Sequence, residues 1–257
     1  MPPDHLLPER LGAVLAVLYL IFNEGYTASA GEALIRRELC AEAIRLGRAL
    51  PELMPDEPEV GGLLALMLLH DSRRAARVSE AGEPVLLAEQ DRSHWDRAEI
   101  AEGQRLVERS LRLARPGSYQ LQAAIAALHA EAATADATDW PQIAALYALL
   151  AKVNPSPIVE LNRAASVAMA EGPERGLALI DLPEVAGALD TYRWLHAARA
   201  DLLRRLARFA EAGEAYRRAL ALAENGAERA HLTRRLREVK ALTPRPPLPT
   251  VGEGEFS

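Results

Sequence analysis

Residues 11–27 read LGAVLAVLYLIFNEGYT, an apolar helical run that stops abruptly at Asn23-Glu24-Gly25-Tyr26, and the rest of the chain reads as helical hairpins able to stack on it. On helical spacing Leu7, Leu11, Val14, Leu15, Leu18 and Phe22 share one face, while Ala13, Ala16, Val17, Leu20 and Ile21 fill the others. A helix apolar all round is expected to be buried on every side. Gly25 is placed to supply a left-handed residue that closes this helix, with Asn23 and Glu24 keeping polar groups at its end. The unbroken run from Leu11 to Phe22 is shorter than the roughly 20 apolar residues of a membrane span. Ala28-Ser29-Ala30 has the small-x-small form of a secretory cleavage site, but the leader MPPDHLLPER sets Asp4 and Glu9 against Arg10, the wrong balance for a signal. The expectation is a buried first helix, no membrane association and a cytoplasmic location.

Composition agrees with a helical protein. The chain has 257 residues, 49% hydrophobic and 26% charged, with only 5% aromatic. Ala, Leu, Arg and Glu dominate, and these lose little side-chain freedom in a helix. The lone Cys40 cannot form an intramolecular disulfide and reads as a small buried hydrophobe. The formal net charge of −6 disfavours nucleic acid as a direct ligand. Charge is unevenly placed: residues 1–193 carry 18 Lys and Arg against 28 Asp and Glu, whereas residues 194–240 carry 11 against 6. The basic end suits an acidic partner surface, although solvated helix faces explain most such asymmetry.

Beyond the polar break at Ala28 to Gly31, Glu32 to Leu50 resumes a helical period that Pro51 is expected to end. Glu59 to Arg74 follows, with the apolar centre GLLALMLLHD. Residues 77–88 break the pattern: Val78 and Val85-Leu86-Leu87 flank Glu80-Ala81-Gly82-Glu83, which allows one short β-hairpin. Ser93 and Asp96 have capping-box spacing, so Ser93 is the expected N-cap of a helix reaching Leu113. Arg115-Pro116-Gly117 stops it, and Tyr119 to Ala133 makes the next.

From Trp140 a repeat emerges. Trp140, Ile143, Tyr147, Leu150 and Pro155 have the spacing of the second helix of a tetratricopeptide (TPR) repeat, and Phe209, Ala212, Tyr216, Ala219 and Leu222 show it again. The offset of 69 residues is close to two periods of roughly 34. Such repeats bury their faces only by stacking, so these aromatics are expected in the core. The fold class is all-α, a helical-hairpin array with TPR-like repeats: an N-terminal helical region over 1–92, TPR-like repeats over 93–242, and a Pro- and Gly-rich tail over 243–257 expected to be disordered.

No phosphate-binding Gly loop, nucleophile elbow or Cys-based metal signature occurs, so no cofactor and no enzymatic activity is expected. Asp91, His94, Asp96 and Glu99, with His70-Asp71, form the nearest approach to a metal or hydrolytic site, although acidic groups at a helix start equally well offset the dipole.

VLYLIFNEGYTAS, ELCAEAIRLGRAL, PDEPEVGGLLALMLLHDSRR, LLAEQDRSHWDRAEIAEG, GSYQLQAAIAALHAEA and DWPQIAALY, followed by the late repeat unit, resemble in the same order the C-terminal TPR-like extension of extracytoplasmic-function (ECF) RNA polymerase sigma factors. The resemblance covers about Leu6 to Lys240. The promoter-binding sigma domains of that family have no counterpart here, and no basic recognition helix is present. The resemblance implies a regulatory, protein-binding module whose partners are sigma domains or the polymerase core, with the repeat groove receiving a peptide or a partner helix. A stand-alone TPR scaffold unrelated to transcription is the competing expectation, followed by a metal- or small-ligand-binding protein. The motif residues carried over as binding candidates are Asn23, Glu24, Gly25, Tyr26, His70, Asp71, Asp91, Arg92, Trp95, Asp96, Asp139 and Trp140.

Overall fold

In the computed structural model, residues 7–27, 35–79, 85–113, 115–224 and 226–242 are described, and among them lie twelve α-helices. They are α1 (Leu7–Tyr26), α2 (Arg37–Leu53), α3 (Pro58–Asp71), α4 (Arg97–Leu111), α5 (Ser118–Glu131), α6 (Trp140–Val153), α7 (Pro157–Ala170), α8 (Pro173–Ile180), α9 (Pro183–Ala186), α10 (Arg193–Arg205), α11 (Phe209–Leu222) and α12 (Gly226–Leu242). Short 3-10 turns fall at Arg74–Ala76, Leu87–Glu89 and Arg92–His94. Most helices pack on their sequence neighbours, with α5 packing more on α3 than on α4 or α6, and the chain is an all-α helical array.

The most enclosed helix is α3, which packs against α1, α2, α4 and α5. Val60, Leu63, Leu64 and Leu66 to Leu69 are all buried. The apolar centre GLLALMLLHD therefore sits where neighbours cover every side. α1 does not, which corrects the expectation for it. Leu11, Leu15, Leu18 and Phe22 enter the core, whereas Val14, Val17 and Leu20 are 43%, 55% and 66% exposed. The reason is position: among the described residues α1 packs chiefly on α2 and α3, with Tyr19 reaching Tyr119 of α5 at 5.5 Å between ring centroids, and its far side has no layer to bury against.

Local expectations are corrected at four further points. Gly25 is helical, without a positive φ. A Cβ there would lie 2.7 Å from the Cys40 amide nitrogen and 2.9 Å from the Arg36 carbonyl oxygen, so the glycine permits the close crossing of α1 and α2. The Arg36 N–H donates to the Gly25 carbonyl at 2.8 Å across that crossing. α2 continues through Pro51 to Leu53, because a proline in the last turn removes one ladder bond while the Met54 N–H still closes on Leu50 at 2.9 Å. Asp96, not Ser93, caps α4, accepting from the Ala98 and Glu99 amides at 2.9 and 3.1 Å. No strand occurs among the described residues: Val78 makes an isolated bridge, Val85 donates to the Arg77 carbonyl at 2.8 Å, and Leu87–Glu89 is a 3-10 turn. The expected hairpin turn at 80–83, the 28–30 stretch and the 243–257 tail lie outside the described residues.

Leu121, Ile125, Ile143, Leu150 and Val159 join α5, α6 and α7 in one seam between the N-terminal and C-terminal cores. Beyond it, α7, α8 and α10 to α12 share a core around Leu203, Tyr216 and Val239. Arg235 of α12 returns to within 3.8 Å of Glu89, which places the last helix against the Leu87–Glu89 turn. No helix among the described residues is long and apolar enough to cross a membrane.

Candidate functional site

The ends of α1, α3, α5 and α6 and the segment leading into α4 meet in a chain of guanidinium and aromatic groups that alternate from Arg77 to Arg92. Tyr26, at the end of α1, stacks on Phe22 with centroids 5.7 Å apart and meets His70 edge-to-face at 5.1 Å. The Arg77 guanidinium lies 3.3 Å from the Tyr26 ring centroid and donates to the Tyr26 carbonyl and, at 3.1 Å, to the Thr27 hydroxyl. Arg73 donates to the Tyr26 hydroxyl at 3.0 Å and approaches the Trp95 ring at 5.8 Å. Arg92 lies 4.5 Å from the same ring. One of its amino groups donates to the His129 and Ala132 carbonyls at 2.5 and 2.7 Å, closing the C-terminal end of α5. His129 in turn meets Trp140 edge-to-face at 5.2 Å. The series runs Arg77, Tyr26, Arg73, Trp95, Arg92, His129, Trp140. Cation–π contacts of this kind strengthen when water is excluded, and Trp95 is only 3% exposed.

The remaining motif residues hold this arrangement in place. Asp71, 3% exposed, pairs with Arg74; burial pushes its carboxyl up and Arg74 opposes the shift. Asp96 caps α4 and its N–H donates to the Ser72 carbonyl at 2.8 Å, fastening α4 to the end of α3. Asp91 caps the Arg92–His94 turn through the Ser93 amide, and Asp139 caps α6 through the Gln142 amide at 2.9 Å. Asn23, Glu24 and Gly25 stand at the α1–α2 crossing, where Glu24 pairs with Arg36 at 3.2 Å. The structure thus brings Tyr26, His70, Asp71, Arg92, Trp95, Asp96, Asp139 and Trp140 into one seam, with Asn23, Glu24, Gly25 and Asp91 at its edges. Arg73, Arg77 and His129, which complete the seam, were not candidates; Arg73 and His129 lie inside two of the motifs, and their signal was the SRRAAR run and an imidazole on an otherwise apolar helix.

Electrostatically the seam holds guanidinium groups that are not paired with its carboxylates. Among the described residues, Arg73, Arg77 and Arg92 have no carboxylate partner; their hydrogen bonds go to hydroxyl and carbonyl oxygens. Burial holds the His70 imidazole well below its usual range, and Arg73 and Arg77 add to the shift. Burial and then Arg73 bring His129 down to about 4, so both rings are neutral at pH 7. Burial pushes the Cys40 thiol up to about 11, as an unreactive interior cysteine requires. No group of three or more His, Cys, Asp or Glu converges to hold a metal among the described residues, because Asp91 and Asp96 are engaged in caps.

The seam opens into two adjoining cavities. One, of about 460 Å³, is lined by Leu87, Arg92, Thr138, Trp140 and Met169; the other, of about 240 Å³, by Ile143, Tyr147, Asn162 and Arg205. His129, Trp140 and Met169 line both.

Fold and seam together define a helical array with an arginine–aromatic junction beside a cleft. Residues 10–111, from α1 to the end of α4, match a family of unknown function (DUF6596). Over 233 residues the chain is 46% identical to an uncharacterized protein of Rhizobium meliloti (strain 1021). That match takes in 91% of this chain and 55% of the relative, so the chain spans about half the length of the curated protein it resembles.

Proposed function

We propose that this chain is a regulatory, protein-binding module of an ECF-type RNA polymerase sigma factor, acting through contacts with sigma domains. Support comes first from the long motifs that resemble the sigma-factor extension in unbroken order from α1 to α11. The single observation that carries the reading is the outward face of α1. Val14, Val17 and Leu20 stand exposed on a stretch that carries no charged side chain from Leu11 to Asn23. An apolar face of this kind on one helix marks a contact surface, and α1 is where the resemblance places the junction with the promoter-binding half.

The reading is tested by co-expressing the chain with the promoter-binding domains of an ECF sigma factor from the same organism, supplied as a separate polypeptide. Co-purification is expected, together with altered promoter-directed transcription by those domains. Leu20→Glu is expected to weaken the association at least tenfold. No association and unchanged transcription would remove the proposal.

A further inference from the structure

We propose that the double cavity beside His129 and Trp140 is a binding site for an aromatic organic anion: a flat, largely apolar ring system carrying a carboxylate, sulfonate or phosphate group.

Three features of the cleft select that chemistry. The two cavities share Trp140, His129 and Met169, which present an indole face, an imidazole and a polarizable thioether to whatever occupies them. These are surfaces for a flat ring. Neutral His129 adds no competing charge at the centre. Each cavity then has a guanidinium that lacks a carboxylate partner among the described residues. In the larger, Arg92 uses one amino group on the α5 carbonyls, and its other N–H groups are left for an anion. In the smaller, Arg205 donates to the Met169 sulfur at 3.4 Å and the Ala168 carbonyl at 3.3 Å.

Arg92 is half-buried and Arg205 exposed, and a half-buried guanidinium left without a carboxylate costs desolvation without Coulomb return. Here Arg73 stands behind Arg92 on the same Trp95 ring and adds to the imbalance. The Trp95 Nε1–H is itself buried without an acceptor in this cluster. Two carboxylates also line the cleft, but neither bonds to Arg92 or Arg205: Asp201 is paired with Arg204, and Asp136 is exposed. An anion seated against Arg92 with its ring over Trp140 satisfies the unbalanced charge and covers the apolar lining in one pose. The combined space of the two cavities is of the size of small-molecule sites in general.

The experiment uses the full chain and two fluorescent probes of nearly the same shape, 8-anilinonaphthalene-1-sulfonate and its uncharged analogue N-phenyl-1-naphthylamine. The sulfonate is expected to bind one per chain and at least tenfold more tightly than the neutral probe, with affinity falling as salt is added. Met169, 47% exposed at the cleft, allows a variant pair that leaves the core intact. Met169→Glu places a carboxylate in the site and is expected to weaken the sulfonate at least tenfold, whereas Met169→Gln, of the same shape without charge, weakens it less than threefold. Melting curves of both variants matching the parent confirm that folding is not the cause. Equal binding of the two probes, or equal effects of the two substitutions, would overturn the proposal.

Discussion

At the residue scale, the sharpest constraint is Gly25. The missing side chain is required by the backbone of α2, not by a turn: the nearest atoms to an added Cβ are the Cys40 amide nitrogen and Sγ and the Arg36 carbonyl. Gly25→Ala is therefore expected to lower stability by about 1–3 kcal/mol, the usual range for overpacking, measured by urea unfolding. Glu99 offers a pH-dependent test. Burial, then Asp71, raise its carboxyl to about 7, with Asp96 adding and Arg74 and Arg48 opposing. Its Oε2 is buried without a partner. The folded chain thus keeps a proton that the unfolded chain releases at about 4.5, so Glu99 lowers stability progressively as pH rises from about 4.5 to 7, and by a constant amount above that. Glu99→Gln is expected to melt higher than the parent at pH 8, with a gap that shrinks toward zero by pH 4.5. A gap independent of pH would refute this assignment.

At the scale of the element, α1 and α3 show how similar apolar runs meet different fates. Both are rich in Leu, and neither carries a strongly polar stripe along its middle. α3 is covered by four helices, while α1 lies at the end of the array. Substitutions on α1 should divide accordingly. Phe22→Ala, at a side chain 1% exposed, is expected to cost about 3–5 kcal/mol. Leu20→Glu, on the outward face, should change the stability of the isolated chain by less than about 0.5 kcal/mol. Thermal melts of the two variants check the pair; a large loss from Leu20→Glu would mean that the outward face is already covered.

At the scale of the whole molecule, stability is distributed along an array in which each helix supports its neighbours. The seam of Leu121, Ile125, Ile143, Leu150 and Val159 couples the two larger cores. Leu150, 1% exposed, is its most convenient probe. Leu150→Ala is expected to cost about 2–5 kcal/mol and to separate the unfolding of the halves. Variants retaining only Trp95 or only Trp194 report the two halves by fluorescence. Their urea midpoints should coincide in the parent background and diverge once Leu150 is truncated. The Glu89–Arg235 pair, though it brings α12 back to the α3–α4 connection, is surface electrostatics worth at most about 1 kcal/mol.

The sequence by itself determined the all-α class and several of the helices. Trp140 and Phe209 begin α6 and α11 where the repeat spacing put them, because a short helix must bury a face of fixed period whatever its neighbours are. It also marked Tyr26, His70, Arg92, Trp95 and Trp140, which belong to long motifs. What only the tertiary structure decided is which surfaces are covered and which groups meet. Periodicity cannot tell an enclosed helix from one at the end of an array, since both are apolar over most of their circumference; hence α3 and not α1 is the centre. Nor can it foresee that Arg73 and Arg77, an ordinary basic run in sequence, lie against Tyr26 and Trp95. Those contacts join residues far apart in the chain, and it is the packing of α1, α3 and α4 that brings them within reach.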